Sequence, residues 1–486
     1  MGKQVVNKNR VLLIVAVAQF MVVLDSSIVN VALPSIYKSL NFTSASSLQW
    51  VVTAYTLAVG GFLLLGGRAA DLYGRRKMFM YSAVAFSVAS LACGLSQNST
   101  TIQVLRAVQG LAAAFMSPAA LSIVLTTFAE GKERAKALSV WGAVAAGGAA
   151  AGVLVGGILT EYLGWRWNFF VNVPVGIAVV TAAYLYVPES KADLKHNKLD
   201  LPGAALVTSG LMLLVYAFAK APLVGWTSST AIFLIGGAIA LLAAFVYNES
   251  KSKQALMPLS IFRIPGVAGA NLTQLPITAS LFSMFFFVTL YLQNILQFSP
   301  IKSGLSFLPV PITIGFMSFA MQKVIAKVGY KKPIIVGPLL LAAGLFLLAH
   351  IPVQGHYLRD VFPGLVLMAA GLGMTFICVT IAATTGVPAR ESGLASGLLN
   401  TSQQVGGSLG LAILSGVSAS TTLAYLKTNA ATAQQPLTQA TAQVQGFHNA
   451  LYVGMSFALL ASLSAALLIR EKRGADVDTA TAHAAA

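Results

Sequence analysis

An aspartate stands inside a long apolar stretch near the start of the chain. Asp25 occurs in "VLLIVAVAQFMVVLDSSIVNVALP", which begins at Val11 and is long enough to cross a bilayer as a helix. A charged side chain at the bilayer centre costs at least about 2.5 kcal/mol, so such a residue usually has a function. Because burial disfavours the charged form of a carboxyl group, Asp25 is suited to take up and release a proton. The residue type and its position predict proton transfer.

Arg106 is the only arginine well inside an apolar segment, and it lies in "LRAVQGLAAA" (105–114). We expect it to contact Asp25 and to hold the carboxyl group ionised until substrate or a conformational change alters its protonation. The alternative is a static Asp25–Arg106 pair that only orders helix packing. Because burying both charges in a membrane is costly, we favour the coupling role.

The elements that position these residues follow from the composition. The chain has 486 residues, of which 57% are hydrophobic and 9% are charged, whereas a soluble domain has roughly a quarter charged residues. The sequence therefore predicts an all-α integral membrane protein. Its expected spans are 11–33, 50–66, 78–95, 101–127, 138–160, 167–187, 201–220, 230–248, 267–291, 303–325, 333–350, 361–386, 398–420 and 447–470, with a long outer loop at about 421–446.

The net charge of +17 is distributed unevenly. Of the 31 Lys and Arg residues, 24 fall in the N-terminal segment, the even-numbered loops and the C-terminal tail. Short cytoplasmic loops carry such an excess of positive charge, so both termini are predicted to be cytoplasmic. The charge thus reports topology and gives no reason to expect a nucleic-acid partner.

Local repeats divide the chain. "GRAADLYGRRK" (67–77) matches "VIAKVGYKK" (324–332), and "ERAKALS" (133–139) matches "ESGLASG" (391–397) at nearly the same offset. Spans 1–6 therefore repeat as spans 9–14, which predicts a six-helix bundle at 1–190, two inserted helices at 191–250 and a second six-helix bundle at 251–472. A disordered cytoplasmic tail is predicted at 473–486. Parallel halves of this kind are a transporter architecture, with the substrate site at their interface near the midplane.

The motifs also resemble a known family. "GRAADLYGRRK" matches the loop-2/3 signature of the major facilitator superfamily at Gly67, Asp71, Gly74, Arg75 and Arg76. "LDSSIVNVALP", "LRAVQGLAAA", "WRWNFFVNVPVG" (165–176) and "GLLNTSQQVGGSLG" (397–410) resemble segments of its fourteen-span drug:proton antiporters. The resemblance covers nearly the whole chain and implies a 6 + 2 + 6 arrangement of helices that exports drugs in exchange for protons.

The resemblance implies that the loop-2/3 cluster latches the two halves together in one conformation and releases them in the other. Asp71 follows the second span, near a helix N-terminus where a carboxylate is favoured, and Gly74 permits a tight turn. The alternative is plain topogenic charge, above all for Arg76 and Lys77.

Four glycines in the fifth span match the antiporter signature of that family. Gly148, Gly152, Gly156 and Gly157 allow close helix approach, whichever way transport runs. The family signature ends Gly-Pro-x-x-Gly-Gly, and Val153 replaces its proline here.

Several side chains could line a central cavity. An apolar cavity with few polar groups suits amphiphilic ligands. Amides stand in span thirteen where some relatives that export divalent cations carry acids, so neutral or monovalent substrates are favoured. The predicted substrate-binding residues are Asn30, Tyr55, Gln109, Phe282, Phe285, Asn400, Gln403 and Gln404.

The sequence thus predicts a proton-coupled antiporter that exports amphiphilic compounds across a bacterial cytoplasmic membrane by alternating access. The alternative is a proton-coupled transporter of one physiological solute, such as a lipid, peptide or sugar. A membrane enzyme would need a cluster of catalytic or metal-ligating groups, and the five histidines form none. No filter-like segment or ligand-binding domain indicates a channel or receptor. We expect no cofactor, no metal and a monomer, and some fourteen-span relatives work with a periplasmic adaptor.

Overall fold

The computed structural model describes residues 7–128, 132–190, 200–252, 255–387 and 392–469, and the regular secondary structure of these ranges is helical. Thirteen helices there are long and apolar enough to cross a membrane. A further helix has its apolar part at Ala150–Tyr162. Together they account for the fourteen spans that the sequence predicts. The predicted tail at 473–486 lies outside the described residues.

We number the spans in chain order. They are α1 (Lys8–Ser39), α2 (Trp50–Tyr73), α3 (Arg75–Leu95), α4 (Ser99–Thr127), α5 (Lys132–Tyr162), α6 (Asn172–Tyr186), α7 (Leu201–Val224), α8 (Ser229–Lys251), α9 (Val267–Leu290), α10 (Pro309–Val328), α11 (Lys331–Leu348), α12 (Phe362–Thr384), α13 (Ser392–Thr428) and α14 (Pro436–Leu468). Short helices at Trp167–Phe170 and Pro300–Phe307 precede α6 and α10, and a π-helical turn, Tyr291–Ile295, follows α9.

Local sequence explains where several helices begin. The side chain of Asn98 accepts a hydrogen bond from the Thr101 N–H at the start of α4, and Ser228 does the same for Ala231 at the start of α8. Such caps satisfy backbone donors that have no partner inside the helix. Gly74, at φ 110°, forms the turn between α2 and α3, a conformation that side chains other than glycine rarely adopt.

The long outer loop predicted at about 421–446 is wrong. Helix α13 continues to Thr428 and α14 begins at Pro436, so only 429–435 connect them. Ala and Gln in this stretch favour helix even outside the apolar core of a membrane. The tenth span, predicted as a single helix at 303–325, is also divided. The helix Pro300–Phe307 ends before Leu308, and α10 starts at Pro309. Pro309 has no backbone N–H and so cannot donate a hydrogen bond to the preceding turn.

Helices α1–α6 pack mainly among themselves, as do α9–α14, and we call these sets the N-terminal and C-terminal halves. The inserted helices α7 and α8 pack on each other, and α7 also lies against α2 and α13. The halves meet along α2 and α13, where the Thr56 and Ser408 hydroxyls are 2.6 Å apart. They meet again where Pro300–Phe307 packs on α5.

Candidate functional site

The carboxylate of Asp25 lies fully buried in the N-terminal half and is held by three side chains. Arg106 Nη1 donates to Oδ2 at 2.6 Å, while Gln109 Nε2 and Asn172 Nδ2 donate to Oδ1 at 2.9 and 2.8 Å. The network thus joins α1, α4 and α6. A buried charge is tolerated only when it is paired and its remaining lone pairs are hydrogen-bonded, and these donors meet both requirements.

Helix geometry places Arg106 and Gln109 on one face of α4, because residues three apart are neighbours on a helix surface. Arg106 Nη1 also donates to Gln109 Oε1 at 2.7 Å, and Arg106 Nε donates to the Val51 carbonyl at 3.0 Å. The guanidinium is therefore held by a carboxylate, an amide and a backbone carbonyl. Its planar fork suits such fixed, multiple contacts.

A second layer of polar groups orients Asn172. Its Nδ2 also donates to Ser90 Oγ at 3.0 Å, and the Ser90 hydroxyl donates to the Phe169 carbonyl at 2.8 Å. Helix α3 and the segment before α6 therefore support the carboxylate indirectly. Sequence reasoning assigned no role to Asn172 or Ser90. Asn172 occurs in "WRWNFFVNVPVG", and an amide in an otherwise apolar span was the signal that could have identified it.

The ring of Tyr55 lies between this network and the space between the halves, and Arg106 itself also lines the smaller cavity described next. Its centroid lies 4.2 Å from Arg106 Cζ, a cation–π distance. The Tyr55 hydroxyl is buried and has no hydrogen-bond partner among the described residues, and the residue lines both cavities described next. Tyr55 therefore contacts the buried charge on one side and the cavity on the other.

A cavity of about 1240 Å³ lies between the halves and reaches the end of the molecule that carries the loop after α2. Its residues at that end include Arg68, Asp71 and Arg263. A smaller cavity of about 250 Å³ adjoins it deeper in the molecule, with a mostly apolar lining that includes Phe285 and Phe376. The two share four lining residues, Ser26, Tyr55, Thr56 and Phe282.

The opposite end of the interface is closed by contacts between the halves. Gln293 Nε2 donates to the Val31 carbonyl at 2.8 Å, and the Ile301 N–H donates to Glu161 Oε2 at 2.9 Å. A Cβ at Gly304 would lie 2.3 Å from the Val153 carbonyl oxygen. Because the backbones are this close, the described structure is open towards the loop after α2 and closed at the other end.

Seven of the eight predicted substrate-binding residues line a cavity. Asn30, Tyr55, Phe282 and Phe285 line the smaller one, while Tyr55, Phe282, Asn400, Gln403 and Gln404 line the larger one. Gln109 differs: it is fully buried, lines neither cavity and instead holds Asp25 and accepts from Arg106. Whether the cavity residues bind substrate stays a prediction.

The loop-2/3 motif is ordered within its own half. Arg75 Nη2 donates to Asp71 Oδ1 at 2.8 Å, and the Arg75 N–H donates to the Ser190 carbonyl at 2.9 Å. Gly67 and Asp71 line the larger cavity, and the hydrogen bonds and ion pairs described for Asp71 join it to Arg75 alone. The predicted latch between the halves thus stays a prediction, and the motif is seen here apart from the other half.

Sequence reasoning missed Glu189, which follows α6 and contacts the start of α3. Its carboxylate accepts the N–H groups of Arg76 and Lys77, each at 3.2 Å, at the first turn of α3. Arg76 also donates through Nη1 to the Val187 carbonyl at 3.2 Å. A carboxylate is stabilised at a helix N-terminus, but Glu189 is 113 residues from Arg76 along the chain, so no local pattern points to this contact.

The glycine ladder of α5 lies on α1. Added Cβ atoms would meet the Phe20 carbonyl at Gly148, Ser27 at Gly152 and the Ile28 carbonyl at Gly156, each at 3.3 Å or less. Gly157 faces the other half instead, with the Pro300 carbonyl 2.8 Å from its position. The ladder therefore brings α5 close to the helix that carries Asp25.

The described residues contain no group of three or more His, Cys, Asp or Glu side chains that could hold a metal ion.

The sequence is similar to those of known proteins over most of its length. It is 38% identical to the puromycin resistance protein pur8 of Streptomyces alboniger, over 97% of this chain and 93% of that one. It is 39% identical to the cephamycin export protein CmcT of Amycolatopsis lactamdurans, over 85% of each chain. The multidrug resistance protein Stp of Mycobacterium tuberculosis is 34% identical, over 85% of this chain and 76% of that one.

Solved structures share the fold. A bacterial homologue of the human lysosomal transporter Spinster superposes with a TM-score of 0.68 at 15% identity, covering 97% of this chain and 100% of that one. The family model described as Major Facilitator Superfamily matches residues 15–411. With its apolar helices, this match shows a multi-pass membrane transporter and not an enzyme, and the chain belongs to the Major Facilitator Superfamily.

Proposed function

We propose that this protein is a proton-coupled antiporter that exports amphiphilic drugs or other lipophilic compounds by alternating access across a bacterial cytoplasmic membrane. The observation that carries the proposal is the fully buried Asp25 carboxylate beside a cavity that is open at one end only. The relatives named above, a puromycin resistance protein, a cephamycin export protein and a multidrug resistance protein, support drug-like cargo.

The lining of the smaller cavity supports lipophilic cargo with few polar groups. Phe282 and Phe285 offer apolar faces, while the Tyr55 hydroxyl and Gln404 Oε1 have no hydrogen-bond partner among the described residues. A ligand group could pair with either atom. Pockets with an apolar lining and few polar groups bind amphiphilic molecules well.

Protonation of Asp25 would act on the cavity through Arg106 and Tyr55. A neutral carboxyl group no longer balances the buried guanidinium, and an uncompensated buried charge costs about 3–5 kcal/mol. Arg106 must then change its contacts, and the Tyr55 ring stacked on it must follow. Proton uptake from outside thereby discharges substrate, and proton release inside restores the site.

The proton gradient can supply the energy without a cofactor. One proton that moves down 100 mV contributes about 2.3 kcal/mol. For a neutral substrate this corresponds to roughly a 50-fold concentration ratio. The excess of Lys and Arg beside the loop after α2 favours a cytoplasmic location for the open end, so substrate enters from the cell interior.

Inverted vesicles with an acidic interior test the proposal. We would add lipophilic cations and neutral drugs and follow proton efflux for wild type, Asp25→Asn and Asp360→Asn. Asp360 is the matched control because it pairs with Arg359 away from both cavities. We expect efflux that depends on drug, is lost in Asp25→Asn and persists in Asp360→Asn.

Two results would count against the proposal. Drug-dependent efflux that survives in Asp25→Asn would reduce Asp25 to a packing role. Efflux driven by one physiological solute and by no drug in the panel would favour the dedicated-solute alternative.

A further inference from the structure

Two more carboxyl groups are buried together, away from Asp25. Asp200 stands immediately before α7 and is 6% exposed, while Glu249 lies in the last turn of α8 and is 4% exposed. Both belong to the helix pair inserted between the halves. Carboxyl groups are seldom buried to this degree unless a positive charge or a proton accompanies them.

Asp200 has the donors that an ionised carboxylate needs. Its Oδ1 accepts the Gly203 N–H at 2.8 Å and so caps α7, and its Oδ2 accepts Asn248 Nδ2 at 2.7 Å. Negative charge is also favoured at a helix N-terminus. Asp200 is therefore the member of the pair suited to carry the charge.

Glu249 is only half satisfied. Its Oε2 accepts the Met257 N–H at 2.7 Å, but its Oε1 is buried and has no hydrogen-bond partner among the described residues. A Cβ added at Gly203 would lie 2.8 Å from Glu249 Oε1 and 2.8 Å from Asp200 Oδ2. Because both oxygens lie 2.8 Å from the same point, Glu249 Oε1 and Asp200 Oδ2 are no more than 2 × 2.8 Å apart. The unpaired oxygen of one carboxyl group lies beside the other carboxyl group.

No positive charge among the described residues forms an ion pair with either group. The other described charges on the same cavity wall are Arg68, Asp71 and Arg263. Helix α13, which packs on α7, adds amide and hydroxyl groups to the wall at Gln403 and Ser396. Two adjacent carboxylates repel each other, and binding one proton removes both the repulsion and the unpaired oxygen.

We propose that Asp200 and Glu249 share one proton, held on Glu249 Oε1 and donated to Asp200 Oδ2, and that this pair is a second proton-binding site. Glu249 lines the larger cavity, so water in the cavity supplies and removes the proton. The site concerns proton binding by α7 and α8 and does not depend on the role of Asp25.

Infrared difference spectroscopy of the reconstituted full chain tests this site. A protonated carboxyl group has a C=O stretching band that a carboxylate lacks and that shifts in deuterium oxide. We expect such a band at neutral pH in wild type, in Asp25→Asn and in the exposed-residue control Glu161→Gln. It should be lost in Glu249→Gln, whose amide Nε2 can still donate to Asp200 and so preserve the fold.

Asp200→Asn is the second variant. It removes the charge that keeps the proton on Glu249, so the band should disappear at a lower pH than in wild type. Identical spectra for wild type and Glu249→Gln would overturn the proposal, because both groups would then be ionised. Carboxylate bands that respond to the choice of sodium or potassium, with no protonated C=O band, would also overturn it, since the ligand would then be a metal cation.

Discussion

The two halves have the same helix layout but different interiors. In the N-terminal half, Asp25 and Arg106 are buried together with amides around them. The other buried charged residues of the described ranges, Asp200 and Glu249, belong to the inserted pair, so none lies on α9–α14. The C-terminal half buries aromatic rings without such a charge among its described residues, with Phe286 and Phe287 centroids 5.3 Å apart.

This difference suggests a division of labour under the proposed function. Of the two halves, in the ranges that the structure describes, only the N-terminal one buries charge that can respond to protons, and the C-terminal half contributes most of the apolar wall of the smaller cavity. A rigid movement of one half against the other then changes the surroundings of substrate and proton together. Variants that remove the charge, the contact between the halves, the aromatic wall or a supporting hydroxyl test this division.

The largest effect is expected for Arg106→Met. It leaves the Asp25 carboxylate buried without a positive partner, and breaking such a pair costs about 3–5 kcal/mol of stability. Thermal or denaturant unfolding in detergent measures it. The double variant Asp25→Asn, Arg106→Met removes both charges and should recover much of the loss. A single variant as stable as wild type would contradict the view that this half is organised around the pair.

Gly304→Ala leaves the interiors of both halves unchanged and disturbs only the contact between the halves. The added methyl group would meet the Val153 carbonyl, and such overpacking costs about 1–3 kcal/mol. We expect the closed end to open, which spin labels at Lys38 and Gln297 would report as a longer distance. Gly147→Ala is the control, because nothing lies within 4 Å of its position. An unchanged distance in Gly304→Ala would mean that this contact does not hold the end closed.

Phe282→Ala tests the aromatic wall. Burying such a ring is worth about 1.5–3 kcal/mol, so a ligand that covers it should bind at least about tenfold more weakly. The apparent KM for drug in the vesicle assay measures this. The release of protons that follows an acid pulse should be unchanged. Phe316→Ala is the control, since that ring is 70% exposed. Equal effects of the two variants would argue against a substrate-facing role for α9.

The smallest effect compares one hydroxyl in each half. Ser90→Ala removes a donor to Phe169 and an acceptor for Asn172, and we expect a loss of about 1 kcal/mol in unfolding free energy. Ser283→Ala removes a bond only to the Ala279 carbonyl of its own helix, so we expect a change below about 0.5 kcal/mol. If the two losses were equal, Ser90 would not be supporting the charged network.

The sequence predicted the Asp25–Arg106 contact because two opposite charges in apolar spans have few other ways to be stabilised. It placed Gln109 in the cavity and missed Asn172. Helices α1, α4 and α6 are apolar on most sides, so their pattern does not specify which face points inward. Asp200 and Glu249 lie just outside the predicted spans 201–220 and 230–248, and nothing in the sequence indicated their burial because it depends on how α7 and α8 pack together.

The number of spans was predictable because long apolar runs are unambiguous. The residues at which the helices begin and end were harder to predict. Helix α13 extends to Thr428, and the Ala and Thr residues near its end do not indicate a membrane span by their hydropathy. The break at Leu308 depends on Pro309, which is readable from the sequence but was included in a single span. A central cavity was predicted, but its size and shape could not be, since they are properties of both halves in one conformation.

The position of Tyr55 has a consequence for how such a protein can diversify. Its ring covers Arg106 on one face and borders both cavities on the other, and Arg106 itself lines the smaller cavity. Under the proposed function, the charges that bind protons and the surface that faces the ligand therefore meet at these two side chains. Phe282, Asn400 and Gln404 line the cavities without contacting Asp25, so we expect substitutions there to change which compounds are accepted while the Asp25 network stays intact. If the proposed function holds, selection by new antibiotics can reshape the cavity without altering the residues that bind protons.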